Sequence, residues 1–211
     1  MRLFTQLVLP GGMLLLPLVA FAQAASFDDE QSQRALAAGD VAVRASTAEG
    51  EHGGRISAAV IVHARPETVW QVMHDCEHAA LYIPGLRHCR RIDQATDGSW
   101  EIIEREMKYS WLMPPIHSVL FLEYHPPLQM DFHRLAGDLK TEEGSWHVQR
   151  TDHDSATLVE YQLRVDPGFW VPSSIVRASL RHALPEALIA LRKRAESIEV
   201  RRVAQSSGTA K

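Results

Sequence analysis

The histidines and cysteines are the first residues of the sequence whose types and spacing could support chemistry. His74 and His78 are four residues apart, the spacing that places two metal ligands on one face of a helix. Cys76 lies between them, and Cys76-Glu77 is typical of a break between two short helices rather than of one continuous helix. No HExxH or CxxC motif is present. We therefore expect surface histidines here, with no metal and no cofactor bound.

A row of charged residues on one predicted strand is the second candidate site. Alternation places Glu104 and Glu106 on one face, and Arg105 on the other beside Met107 and Tyr109. If that second face lines a cavity, Arg105 is a buried cation that needs a ligand carboxylate, a phosphate or a protein acid as its partner. Ordinary cross-strand pairing at the surface is the alternative.

Signatures of nucleophilic catalysis are absent from the sequence. It contains no GxSxG motif, no glycine-rich phosphate loop and no Cys-His pattern of known spacing. General acid–base catalysis by His117, Tyr109 or Tyr161 inside a cavity is an alternative, although nothing singles these residues out.

The first 25 residues predict an export signal. Arg2 supplies the positive start, Leu7 to Val19 form the apolar run, and cleavage is expected near Ala22 or Ala25. An uncleaved membrane anchor is the alternative. We therefore expect a periplasmic or secreted protein. With a net charge of −4 the chain is a poor candidate for binding nucleic acid, which attracts basic surfaces.

Export would also decide the chemistry of the two cysteines. In an oxidising compartment, two thiols in a small domain commonly pair, so Cys76 and Cys89 are candidates for a disulfide. Two buried free thiols are the alternative.

The elements that would position these residues are mostly strands, followed by one long helix. Residues 31–38 and 41–43 predict a short helix and an edge strand, and residues 56–64 predict the first main strand. Two short helices follow, the first opened by Pro66 and the second ended by Pro84-Gly85. Six further strands, with short connections that imply antiparallel hairpins, are predicted at 87–93, 100–109, 116–124, 128–135, 140–150 and 157–166.

The segment 171–200 predicts a long amphipathic helix. Its apolar stripe includes Val176, Leu180, Leu184, Leu188 and Leu191. No partner helix of matching length is available, which favours an α+β fold in which a curved antiparallel sheet wraps around this helix.

Three segments resemble a known superfamily. ARPETVWQVMHDCEHAALYIPGL resembles the strand–helix–helix opening of START-like (SRPBCC) proteins, which include the birch pollen allergen, polyketide cyclases and lipid-transfer domains. FHRLAGDLKTEEGSWHVQR and ATLVEYQLRVDPGFWVPSSIVRASLRHALPEALIALRKRAES resemble the polyketide cyclase/dehydrase and lipid transport branch, akin to the coenzyme Q-binding START domain. The resemblance implies the helix-grip fold, with a cavity between sheet and helix. The predicted organisation is a signal peptide at 1–25, a polar segment at 26–40, the START-like domain at 41–202 and a disordered tail at 203–211.

Apolar aromatic loops indicate where a ligand would enter such a cavity. The connections KYSWLMPPI and DPGFWVPSS carry large apolar side chains, which mark ligand mouths, partner sites or transient membrane contacts, unless they cap the core. The predicted ligand-binding residues are Arg105, Met107, Tyr109, Trp111, Met113, Phe121, Met130, Phe132, Trp146, Tyr161, Phe169 and Trp170.

Three functional hypotheses follow from the sequence. The first is an exported carrier or binding protein for a hydrophobic small molecule: a lipid, an isoprenoid quinone or a polyketide-like compound. The second is a cyclase or dehydrase acting on a polyketide-like substrate in the same cavity. The third is an envelope interaction protein with a collapsed cavity. The missing catalytic signatures favour the carrier, and no sequence signal indicates an oligomeric state.

Overall fold

The order of elements predicted from the sequence is confirmed. The computed structural model describes residues 27–46, 53–108, 114–125, 128–151, 156–168 and 173–208, with the backbone alone at 173–177, 179–180 and 207–208. The elements are α1 (Glu30–Ala37), β1 (Ala42–Ser46), β2 (Gly54–Val62), α2 (Pro66–Met73), α3 (Cys76–Ala79), β3 (Leu86–Gln94), β4 (Trp100–Met107), β5 (Ile116–His125), β6 (Gln129–Gly137), β7 (Thr141–Arg150), β8 (Thr157–Asp166) and α4 (Ser173–Gly208).

The strands form one curved antiparallel sheet in the order β1-β2-β8-β7-β6-β5-β4-β3. Strands β3 to β8 follow one another as a meander, as short connections require. Strand β2 then pairs with β8, so the first main strand lies beside the last one. This is the α+β helix-grip arrangement that the sequence predicted.

Helix α4 packs its apolar stripe against the concave face of the sheet. Leu188, Leu191 and Ala195 are buried in one cluster with Val60 of β2 and Val159 of β8. At its C-terminal half the Glu199 carboxylate accepts hydrogen bonds from side chains at the start of α2, and the Glu196 carboxylate accepts one from the His63 amide. These contacts fix this half of α4 on the sheet.

Helix α1 packs on the opposite face of the sheet, at its β1–β2 edge. Phe27 and Leu36 are buried there against Ala42 of β1 and Ala59 of β2. The polar N-terminal segment therefore covers part of the outer face.

Two irregularities of the backbone shape the concave face. A register shift between Leu86 and His88 lets Leu86 and Cys89, three residues apart, both point inward, because a bulge resets the alternation of a strand. Gly144 of β7 lies directly opposite Phe132 of β6. A Cβ at position 144 would lie 2.7 Å from the Phe132 ring, so the glycine leaves the space that the ring occupies.

The structure corrects two predictions. Phe121 points to the outer face, where it stacks on Trp100 with ring centroids 5.6 Å apart, while Leu120 and Leu122 point inward. Val119 and Phe121 are apolar like Leu120 and Leu122, so these four residues alone fit either face of the strand. His117, Glu123 and His125 alternate with Phe121, and these polar residues mark its face as the outer one. Helix α4 continues to Gly208, past residue 203, where the tail was predicted to begin.

Candidate functional site

A cavity of about 190 Å³ lies between the concave face of the sheet, the α2–α3 segment and the middle of α4. Leu184, Ala187 and Leu191 of α4 form one wall, because they continue the stripe that packs on β2 and β8. Most of the lining is apolar. A cavity of this size is smaller than the roughly 300–1,000 Å³ of common ligand sites. It fits a small molecule or one part of a longer chain.

Three aromatic side chains from neighbouring strands form one side of the cavity. The Tyr161 ring of β8 contacts the Trp146 ring at 4.2 Å and the Phe132 ring at 6.0 Å, and the planes of Tyr161 and Phe132 are nearly parallel. Register explains the arrangement, since Trp146 pairs directly with Tyr161, and Phe132 lies opposite Gly144. The result is an aromatic, polarisable surface for an apolar ligand.

Arg105, which lines the cavity near the end of β4, forms an ion pair with a buried carboxylate. The Arg105 guanidinium pairs with the carboxylate of Glu142 on β7, which is 3% exposed. Ser118, the cross-strand partner of Arg105 on β5, donates a 2.6 Å hydrogen bond to the same carboxylate. Arg105 therefore lines the cavity, which is the first of the two alternatives that the sequence left open, and its partner is a protein acid.

A second charged group lines the cavity four residues earlier on β4. Glu101 is 4% exposed, and its carboxylate accepts hydrogen bonds of 2.5 Å from Arg91 Nε and from the Tyr124 hydroxyl. The Tyr124 ring packs against His74, at 4.4 Å, and Trp70, at 5.8 Å. Burial, and then the hydrogen bond to Glu101, raise the pKa of Tyr124 well above its usual range, so this phenol stays protonated as a donor.

The remaining wall is held by a disulfide. Cys76 of α3 and Cys89 of β3 are bonded, with Cα atoms 5.3 Å apart, and both line the cavity. The bond ties the short helix α3 to the edge strand of the sheet. Next to it, Tyr82 donates a 3.0 Å hydrogen bond to the Val72 carbonyl, and burial raises the pKa of Tyr82 to about 12.

The structure brings together half of the predicted ligand-binding residues. Those that line the cavity are Arg105, Met107, Met130, Phe132, Trp146 and Tyr161. Phe121 lies on the outer face. The others, Tyr109, Trp111, Met113, Phe169 and Trp170, lie outside the described residues, as does the predicted mouth that they would form.

Sequence reasoning missed Glu101 as a cavity residue and Glu142 as the partner of Arg105. For Glu101 a signal existed, because the alternation that points Arg105 inward also points Glu101 inward. Glu142 could not be recognised in this way. Its role depends on Arg105 reaching across two intervening strands, and strand alternation carries no information on such a distance.

The histidines form no metal site in the part of the chain that the structure describes. His74 Nδ1 contacts the Trp70 carbonyl at 2.9 Å, and His78 Nδ1 contacts Asp75 at 2.6 Å. Within the described ranges no group of three His, Cys, Asp or Glu side chains could hold a metal ion. His117 pairs with Glu104 at the surface, away from the cavity.

Comparison with protein families gives one decisive match. Residues 62–192 match the family described as polyketide cyclase/dehydrase and lipid transport. The chain belongs to this family. The match begins at the last residue of β2 and ends within α4, so it includes every element that lines the cavity. No curated protein matches the chain by sequence.

Solved structures of this family's fold resemble the chain at low identity. The STAR-related lipid transfer protein from Xanthomonas axonopodis is 16% identical, with a TM-score of 0.65 over 74% of this chain and 93% of that one. The Zhui aromatase/cyclase from Streptomyces sp. R1128 is 14% identical, with a TM-score of 0.56 over 77% and 96%. Human STARD10 is 15% identical, with a TM-score of 0.62 over 79% of each chain. At these identities the likeness shows the fold. Among the described residues, no helix is long and apolar enough to cross a membrane.

Proposed function

We propose that this protein binds and carries a hydrophobic small molecule in the cavity between the sheet and α4. The observation that carries the proposal is the composition of the lining, which is mostly apolar, with its few charged groups held in ion pairs. Apolar walls with a small number of placed polar groups are the pattern of sites that bind ligands. The same fold occurs in a lipid transfer protein, which is consistent with the proposed function.

The polar groups of the cavity favour binding over catalysis. No histidine is among the described lining residues. Tyr82 has a pKa raised to about 12 by burial and uses its hydroxyl on the Val72 carbonyl, so it is a poor acid or base near neutral pH. The fold of an aromatase/cyclase supports the alternative of an enzyme acting on a polyketide-like substrate.

The proposal includes export. Residues 1–25 have the pattern of a signal peptide, and a disulfide between Cys76 and Cys89 is consistent with an oxidising compartment. N-terminal sequencing of the protein from a periplasmic or culture fraction should give a start near Gln23 or Ser26. An intact Met1 in the membrane fraction would contradict this part of the proposal.

Native mass spectrometry after gentle extraction should reveal a bound apolar molecule. In titrations with fatty acids or fatty alcohols of increasing length, the dissociation constant should fall about fourfold per added methylene until the cavity is full, because burying a methylene contributes about 0.8 kcal/mol. Quenching of Trp146, which lies in the wall, provides the signal. A Trp146→Phe variant identifies the part of the signal that comes from this residue.

A pair of neighbouring substitutions separates cavity binding from surface adsorption. Phe132→Arg places a cation among the aromatic rings and should abolish the response, whereas His133→Arg on the exposed face of the same strand should leave it unchanged. Equal loss in both variants would refute binding in the cavity. Turnover of a polyketide-like substrate without a saturable response to lipids would favour the enzyme instead.

A further inference from the structure

The Glu101 carboxylate is a charged group in an otherwise apolar part of the cavity wall, and carriage of a purely apolar molecule does not require it. Its ion-pair partner Arg91 is exposed, and an ion pair that reaches the surface contributes little to stability. Glu101 is nevertheless 4% exposed, lines the cavity and is held by Arg91 and Tyr124. This combination raises the question of what the carboxylate binds.

The positions of Glu101 and Arg105 on β4 determine how a ligand could lie in the cavity. The two residues are on the same face of β4 and four positions apart, which corresponds to roughly 13 Å along the strand. Both line the same cavity. A molecule that lies along β4 therefore has Glu101 near one end and Arg105 near the other.

The chemistry of the two ends is opposite. At the Glu101 end the carboxylate has about four lone-pair sites and accepts one hydrogen bond each from Arg91 and Tyr124, and the Tyr124 oxygen can itself accept a further bond. This end offers acceptors to a ligand, so it suits a hydroxyl or an ammonium group and repels a carboxylate. At the Arg105 end the guanidinium, which can only donate, lines the cavity and is paired with Glu142.

We propose that Glu101, oriented by Arg91 and Tyr124, forms a subsite for a hydrogen-bond donor of the ligand. The ligand is then an apolar molecule with a hydroxyl or amino group at the Glu101 end and an acceptor, such as a carboxylate or carbonyl, at the Arg105 end. This inference rests on the proposed function, because it assigns the class of molecule that the cavity carries.

The test compares medium-chain fatty acids of equal length that differ only at the far end. Calorimetric titration of the full chain with the unsubstituted, ω-hydroxy, ω-amino and ω-carboxy acids gives the four affinities. A hydrogen bond to a charged group predicts that the ω-hydroxy acid binds about tenfold more tightly than the unsubstituted acid. The ω-carboxy acid should bind most weakly. The order of the ω-hydroxy and ω-amino acids identifies the donor that the subsite accepts.

Two isosteric variants assign the preference to the subsite. Glu101→Gln should reduce the preference for the ω-hydroxy acid at least fivefold and change the affinity for the unsubstituted acid less than about twofold. Glu104→Gln, on the outer face of the same strand, removes a carboxylate that pairs with Arg90 and His117 and should leave the preference intact. Tyr124→Phe keeps the carboxylate but removes one of its donors, so it provides a second test if Glu101→Gln fails to fold.

The outcomes separate the inference from the function on which it rests. Equal affinity for the four acids would overturn the subsite while leaving hydrophobic binding in place. A preference that survives in Glu101→Gln would also overturn it. If none of the acids binds, the proposed function fails together with the inference.

Discussion

Reducing the disulfide between Cys76 and Cys89 should lower the thermal stability of the protein by a calculable amount. The two cysteines are separated by 13 positions in the sequence. The loss of unfolded-state entropy caused by closing a loop of this length corresponds to about 3 kcal/mol. For a domain of this size, about 1 kcal/mol changes Tm by roughly 2–4 °C, so reduction should lower Tm by roughly 6–12 °C.

The assay compares the same protein with and without reductant, so that all side chains are otherwise identical. Circular dichroism gives Tm, and alkylation under denaturing conditions counts free thiols: none should react before reduction and two should react afterwards. A Cys76→Ser/Cys89→Ser variant is the control, and reductant should not change its Tm. If fully reduced protein melts within about one degree of the oxidised form, the bond does not stabilise the fold by the loop-closure mechanism.

Three further predictions concern the core, a close approach and the dependence on pH. Leu188 is fully buried on α4, and Leu188→Ala should lower the free energy of unfolding, measured by urea titration, by about 2–5 kcal/mol. Lys193→Ala, at an exposed position of the same helix, should lower it by less than about 0.5 kcal/mol. Similar losses in the two variants would mean that α4 is oriented differently. Gly144→Ala should destabilise by about 2 kcal/mol or more, because its Cβ would lie 2.0 Å from the Gln162 carbonyl oxygen; an unchanged urea midpoint would contradict the strand spacing. The pKa of Tyr82 is raised from 10.0 to about 12, so the contribution of its protonated hydroxyl to stability is fully present below pH 10 and is lost as the pH rises through 12. Tyr82→Phe should therefore make the free energy of unfolding decline less steeply over this pH range. If the variant and the original protein have the same dependence of stability on pH, this role of Tyr82 is refuted.

The fold was predictable because its signals are local. Turn residues set the strand limits, and the predicted strand at 157–166 has the observed bounds of β8. The apolar stripe of the long helix gave its buried face, with Leu188 and Leu191 both buried. These patterns depend on spacing within one element, which a single sequence contains.

The site was less predictable because it depends on an irregularity of strand register and on contacts between distant strands. Phe121 was misassigned from the apolar residues of β5 alone, although His117 and Glu123 alternate with it and mark its face as the outer one. A register shift points Leu86 and Cys89 to the same side of β3, and the disulfide lines the cavity for this reason. No residue type in this part of the sequence indicates the shift. Glu142 was missed for a different reason, since its contact with Arg105 is a tertiary one.

The pairing of β2 with β8 has a consequence for how the chain folds. Gly54 pairs with Val165 and Val62 with Thr157, so each pair joins residues about 100 positions apart. Closing such a long loop costs entropy before the contacts between β2 and β8 can form. Their pairing should therefore be slower than the formation of the hairpins between β3 and β8. During synthesis, one edge of β2 therefore stays unpaired and exposed to other chains until β8 has been made. A protein shortened before β8 would keep that edge permanently open and should aggregate.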